Sequence, residues 1–246
     1  MSLKTILSLE FTRLFRRSSL VFLFLAMYVL LTPIGRGVDQ FRSNETYLLS
    51  ELYQIIAGSI SIFGMLFMAL FWVNNIGNEF NERSYRKLLV LGVQKKEYLT
   101  GKLLMSLLLA MVFLAFTLIV YVSLAIIFTE ETIFVALGSI SMASMFNQLL
   151  ALYLPALFGL FIVIVFRSKT VGLIFFPFWF FTELFFYIQS MINHSNVFVG
   201  FLPGVIGWNM YNSHQLMEFK YYFAAIMYAV IFITSSWFGL KLRDDI

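Results

Sequence analysis

Six long apolar runs, at roughly 19–34, 54–76, 103–128, 145–166, 170–192 and 221–240, set the terms on which this chain can fold. About 20 apolar residues in helical conformation cross the hydrocarbon core of a bilayer, since each adds about 1.5 Å. Within hydrocarbon every backbone N–H and C=O needs a partner inside the protein, and a helix supplies those partners within the segment itself. The runs therefore predict an all-α integral membrane protein with six transmembrane helices, in a single domain over 1–246. The first run is short and is expected to extend into its polar flanks. It follows Arg16 and Arg17 and no small-x-small cleavage pattern comes after it, so it is expected to stay as a span rather than leave as a signal peptide. Composition agrees: 61% of residues are hydrophobic and 12% charged, where a soluble domain is nearer about half and about a quarter. With no Cys in the chain, disulfides, thiolate metal sites and Cys nucleophiles are excluded.

The basic residues orient the spans. With both termini cytoplasmic, fourteen of the seventeen Lys and Arg fall inside, and only Arg36, Arg42 and Lys220 fall outside. Positive residues accumulate on cytoplasmic flanks, so both ends are expected inside. The same distribution explains the net charge of +4. The basic residues border the spans instead of forming one face, and no nucleic-acid partner is expected.

Segments outside the runs have characters of their own. Over residues 3–17, Leu3, Ile6, Leu7, Phe11, Leu14 and Phe15 share one side of a helix, with Thr5, Ser8, Thr12 and Arg16 opposite. This predicts an amphipathic interfacial helix with Lys4, Arg13, Arg16 and Arg17 toward lipid phosphates. Glu10 falls within its apolar arc, near Arg13 and Arg17. Residues 195–213, including Val197 to Trp208, are too apolar for a solvated loop and too interrupted by Gly and Pro for a span. Irregular backbone at membrane depth must be covered by protein or line a wet cavity. A re-entrant outer hairpin of two short helices is expected between the fifth and sixth spans.

The most informative stretch is the charged island Asn78 to Leu104, between the second and third runs. It holds six of the basic residues, Arg83, Arg86, Lys87, Lys95, Lys96 and Lys102, with Glu79, Glu82 and Glu97. Glu82 to Leu91 predicts a short helix with an apolar strip of Leu88, Leu89 and Leu91. Gly92 fits its stop, because Gly tolerates the left-handed conformation after a helix. A further helix is expected to start over Lys95 to Lys102. A Glu leaving one span (Glu79 or Glu82), Leu88-Leu89, the basic turn Gln94-Lys95-Lys96 and Gly101-Lys102-Leu103-Leu104 opening the next span together resemble the first cytoplasmic loop of ABC-2 type transporter permeases. Arg83-Ser84 stands where such families often carry Gly-Thr. The resemblance extends over essentially the whole chain, and the outer hairpin is similar as well.

The resemblance implies the membrane-spanning permease subunit of an ABC exporter in the bacterial cytoplasmic (inner) membrane. It implies a second permease protomer, in a homo- or heterodimer, and a separate ABC ATPase subunit carrying ATP and Mg. The coupling helix would present Glu79, Glu82, Arg86, Lys87, Leu88 and Leu89 to that ATPase, and the N-terminal helix, with Glu10, Arg13, Arg16 and Arg17, would touch it too. No cofactor is expected in this chain. Gly101-Lys102 is followed by Leu103, where a P-loop needs Ser or Thr on Mg²⁺. No protease motif occurs, and His214 with Glu218 lacks a third metal ligand. The chain is therefore expected not to be an enzyme and to hold no metal.

Within the spans, Glu183 is the one ionisable residue set deep in a run, among Phe180, Phe181, Phe185 and Phe186. Such residues usually face the bundle interior or a water-filled cavity. It reads either as a group on the substrate path or gate, or as a protonated carboxyl hydrogen-bonded to a neighbouring span. Ala57, Gly58, Ser61 and Gly64 put small residues on one face of the second run, which suits close helix packing or a dimer interface. Ser61, Gly64, Phe181 and Glu183 are the candidates for the translocation path or protomer interface. An aromatic, apolar lining suits an amphipathic substrate such as a peptide, lipid or drug. Two other functions use the same residues: a non-transport membrane anchor or signalling subunit for a cytoplasmic partner, and a proton-coupled carrier working through Glu183.

Overall fold

The computed structural model describes residues 49–129, 132–193, 202–212 and 217–242, together with Ser8 and Thr12. The first run and most of the N-terminal helix, with Glu10, Arg13, Arg16 and Arg17, lie outside the described residues, as do 195–201 and 213 of the expected hairpin. Ser8 and Thr12, both assigned to the polar side of the N-terminal helix, are helical and exposed. The Thr12 hydroxyl donates to the Ser8 carbonyl at 2.9 Å.

Among the described residues every regular element is a helix. In chain order these are α1 (Leu49–Asn81), α2 (Ser84–Val90), α3 (Lys95–Thr129), α4 (Ile133–Gly138), α5 (Met142–Phe166), α6 (Lys169–Asn193), α7 (Pro203–Asn212) and α8 (Phe219–Leu242). Five of the six apolar runs fall inside α1, α3, α5, α6 and α8. Among the described residues four segments are long and apolar enough to cross a membrane: Lys95–Ile127, Met142–Phe166, Lys169–Gln189 and Phe219–Leu242. The second run, 54–76, lies in α1, whose 33 residues extend about 50 Å, well beyond the roughly 30 Å hydrocarbon core.

The bundle is organised around α5, which packs against α1, α3, α6, α7 and α8. Small residues let it sit there. A Cβ on Gly159 would come within 2.6 Å of the Ala69 carbonyl oxygen and 3.0 Å of the Ala69 Cα, so α1 and α5 meet backbone to backbone, as small residues permit in membrane helices. Gly172 brings α6 equally close to Val73 and Val163. Above these contacts, Phe158 of α5 meets Trp179 at 4.0 Å and Phe176 at 5.8 Å on α6, and Phe232 at 5.0 Å on α8. The Phe-rich fifth run thus splits: Phe176 and Phe180 are buried in the bundle, while Phe175, Phe178, Phe181, Phe185 and Phe186 are exposed around the rest of α6.

The turn between α5 and α6 is two residues long. Arg167 takes the left-handed conformation (φ 50) that ends α5, and its amide still donates to the Val163 carbonyl at 2.7 Å. The Ser168 hydroxyl then accepts from the Val171 amide at 3.3 Å at the start of α6.

Candidate functional site

In the charged island a short helix is closed at its C-terminus and the next helix begins with a cap of its own. Glu82 and Arg83 form the turn after α1, and Arg83 takes φ 57 as the residue before α2. That is the conformation glycine adopts without strain, which gives a physical reason for Gly at this place in sequences of similar loops. The other end of α2 closes as the sequence suggested. Gly92 has φ 88, its amide donates to the Leu89 carbonyl at 3.0 Å, and the Val93 amide donates to the Leu88 carbonyl at 3.1 Å. This pair of bonds is a Schellman motif, and the burial of both Val93 and Leu88 fits its usual apolar contact. The Gln94 amide then donates to Glu97 Oε2 at 3.1 Å, which starts α3 with the return bond of a capping box. The expected helix over Glu82 to Leu91 is therefore trimmed to Ser84–Val90, with Leu91 as its C-cap.

Packing fixes which face of α2 is presented. Tyr85 is buried, with its ring edge-on to Phe80 at 5.1 Å and to Tyr98 at 4.8 Å. Leu88 turns inward with it and is only 8% exposed, whereas Val90 is 87% and Leu91 68% exposed. Leu89 is half-buried against the core. The apolar pair offered outward is thus Val90-Leu91, and not the Leu88 that the sequence put first. Glu82, Arg83, Arg86 and Lys87 are exposed beside it.

Glu79 also lies elsewhere than the sequence suggested. It is buried near the C-terminal end of α1, behind α2. The Lys102 ammonium donates to Glu79 Oε1, and the Tyr98 hydroxyl donates to Glu79 Oε2 at 2.8 Å. The Lys102 ammonium also lies 5.3 Å from the Tyr98 ring centroid and 5.8 Å from that of Trp72. Lys102, counted with the surface charges of the loop, is an interior residue. Desolvating either charge is costly, and direct pairing with a further hydrogen bond offsets that cost. The result ties α1 to α3 immediately behind α2.

The same end of α1 is joined to the other hairpin. The Lys169 ammonium donates to Asn78 Oδ1 at 2.9 Å, and the Arg167 guanidinium lies 5.8 Å from the Phe80 ring centroid. Gly77 makes the approach possible, since a Cβ there would stand 2.5 Å from the Lys169 Cβ. A displacement of α2 therefore meets α1 and α3 through Tyr85, and α6 through Asn78 and Gly77.

The candidates inside the spans separate. Glu183 is 5% exposed, and its Oε2 accepts from the Gly204 amide of α7 at 2.6 Å. Of its two sequence readings, the hydrogen-bonded one describes this contact, although the donor is backbone of α7 and not a side chain of a span. Phe181 is exposed on α6 and Gly64 is buried in α1. Ser61 lies in α1, with its side chain outside the described ones. The sequence reading missed Tyr98 and Lys102 as partners of Glu79. The spacing of Tyr98 and Lys102, four residues apart on one helix face, was the available signal. Among the described residues no group of three metal-ligating side chains occurs.

A family model described as ABC-2 family transporter protein matches residues 6–183. The match takes in the whole of the loop above and ends at Glu183. No curated protein and no solved structure gives a significant match.

Proposed function

Because the chain belongs to the ABC-2 family of transporter proteins, we propose that it is the permease subunit of an ABC exporter, moving an amphipathic substrate (peptide, lipid or drug) with energy from a separate ATPase subunit. On this reading two permease protomers and two ATPases assemble in the bacterial cytoplasmic membrane, both termini of the permease are cytoplasmic, and the chain itself binds no nucleotide. The observation that carries the proposal is the outward face of α2. Val90 and Leu91 form an apolar knob flanked by Arg86 and Lys87, on a helix capped at its C-terminus and backed by the Tyr85, Tyr98, Glu79 and Lys102 cluster.

That construction suits the passing of force. A seven-residue helix has little stability of its own, but here its C-terminus and its inner face are held. An ATPase gripping Val90 and Leu91 pushes α2 against the Tyr85 and Tyr98 rings. The Glu79–Lys102 pair keeps α1 and α3 moving together, and the Asn78–Lys169 bond carries the motion to α6. The aromatic residues exposed on α6 (Phe178, Phe181 and Phe185) border lipid or the second protomer, which suits an amphipathic cargo.

Val90 and Leu91 changed together to Ser test the proposal, with co-purification of the ATPase in mild detergent and transport as readouts. Truncating a central apolar anchor costs about 1–2 kcal/mol or more of binding, roughly tenfold per 1.4 kcal/mol. Both association and transport should fall by at least that factor, with membrane insertion unchanged. Reversing Arg86 and Lys87 to Glu should act more mildly and in a salt-dependent way, since rim charges mainly set association rate. Unchanged ATPase recovery and transport in the Ser double variant would remove the coupling role of α2. Lost association with no transport function to lose would point to an anchor or signalling subunit.

A further inference from the structure

The Glu183 carboxyl and the start of α7 make an arrangement that the coupling site does not use. The first N–H groups of a helix have no acceptor within it and carry the positive end of its dipole. In water this is harmless, but away from water such donors need a protein partner. Pro203 opens α7 and brings no N–H, as suits a first helical position. Gly204 follows, and its amide donates to Glu183 Oε2 at 2.6 Å. The Val205 amide and the Trp179 indole also approach the same carboxyl. A side chain on Gly204 would not fit, because its Cβ would stand 2.7 Å from Glu183 Oε2.

Glu183 lies ten residues before the end of α6 at Asn193, about 15 Å along the helix. The N-terminus of α7 therefore sits well inside the bundle, and α7 packs against α5, α1, α6 and α8 with Val205 and Ile206 buried. The other side chains around this first turn are largely apolar. Beside the carboxyl, Met65, Phe180, Leu184, Tyr187 and Val205 enclose a cavity of about 20 Å³, room for one water. The polar contacts that hold this first turn at its depth, among the described residues, converge on the one Glu183 carboxyl.

We infer that Glu183 is a positioning residue that latches α7 into the outer half of the membrane domain, and that release of the Glu183–Gly204 contact lets α7 withdraw. The latch follows from α6 and α7 alone. Its use as the outer gate of the path rests on the exporter reading.

The test uses the absence of native cysteine. Val205→Cys is introduced and its labelling by a membrane-impermeant thiol reagent is timed from outside, with no ATPase or substrate added. With Glu183 present the buried cysteine should label slowly. Glu183→Ala should accelerate labelling roughly ten- to a hundredfold, the range that leaving a buried donor without its acceptor gives. Glu183→Gln keeps an oxygen to accept the Gly204 N–H and should stay near the parent rate. Gly204→Ala, which leaves Glu183 in place but displaces its carboxyl, should accelerate labelling as Glu183→Ala does, and it decides the matter if the latter fails to reach the membrane. A parent-like rate in Glu183→Ala or in Gly204→Ala would overturn the latch, as would equal rates for the Gln and Ala variants. These outcomes are independent of whether Val90 and Leu91 bind an ATPase, so failure of the latch and failure of the exporter reading are told apart.

Discussion

Lys102→Met should be among the most damaging conservative-sized changes where α1, α2 and α3 meet. The substitution keeps an unbranched stem of similar length on α3 but strands the Glu79 carboxylate. Both side chains are almost wholly buried, at 1% and 6% exposure, and in direct contact, so water screens the pair little. Two unit charges 4 Å apart at an effective dielectric near 20 attract by about 4 kcal/mol. Removing one member of a buried pair costs about 3–5 kcal/mol, because the other keeps its desolvation penalty. Tyr98→Phe removes the 2.8 Å bond to Glu79 Oε2 while keeping the ring and the Lys102 pair, and should cost less, about 1.5–3 kcal/mol. Glu79→Gln combined with Lys102→Met removes both charges and leaves an amide for the Tyr98 hydroxyl, so it should be more stable than Lys102→Met alone. The assay is reversible unfolding in mixed micelles, followed by helical circular dichroism and by tryptophan emission, with Trp72 lying against the Lys102 ammonium. The reasoning is refuted if Lys102→Met unfolds within about 0.5 kcal/mol of the parent, the scatter of neutral surface changes. It is equally refuted if the double variant is no more stable than the single one.

Gly159→Ala should destabilise by about 1–3 kcal/mol, because its Cβ meets the Ala69 backbone and not a flexible side chain tip. Gly138→Ala, with nothing within 4 Å of its Cβ, should be neutral in the same unfolding assay. Gly92→Ala should cost about 1–2 kcal/mol through its φ of 88 and should raise protease nicking between α2 and α3, with little change in the spans. Single cysteines at Ser43, Glu130 and Asn196 should label from outside in intact cells, and those at Lys95 and Ser168 should not. Labelling at Lys95 would reverse the inside-outside assignment.

The features that could be read from sequence are those whose causes are local. The 103–128, 145–166, 170–192 and 221–240 runs became helices long and apolar enough to span, because hydropathy and helical hydrogen bonding act within a segment. Gly92 as a stop and Lys95 as a start came out as expected, since caps join residues three to five positions apart. The capping box at Gln94 and Glu97 was within reach, but Gln lacks the Ser or Thr signature at that position.

What sequence left undecided is which side of each helix faces what. In α2 the apolar residues Leu88, Leu89, Val90 and Leu91 are consecutive, so they cover all sides of the helix and name no face. The choice was made by Tyr85 docking on Phe80 and Tyr98, which turns Leu88 inward and Val90 and Leu91 outward. Glu79 and Lys102 are 23 positions apart, and nothing short of the packing of α1 on α3 shows that two charges of a polar loop are an interior pair. Glu183 is the clearest case. Hydropathy marked it as unusual, but its partner is a backbone amide 21 residues on, which carries no side chain to recognise. Its role exists only because α7 turns its unsatisfied N-terminus toward α6 at that depth. Local propensity makes the helices, whereas the burial of small residues, aromatic rings and paired charges between distant segments decides how those helices meet.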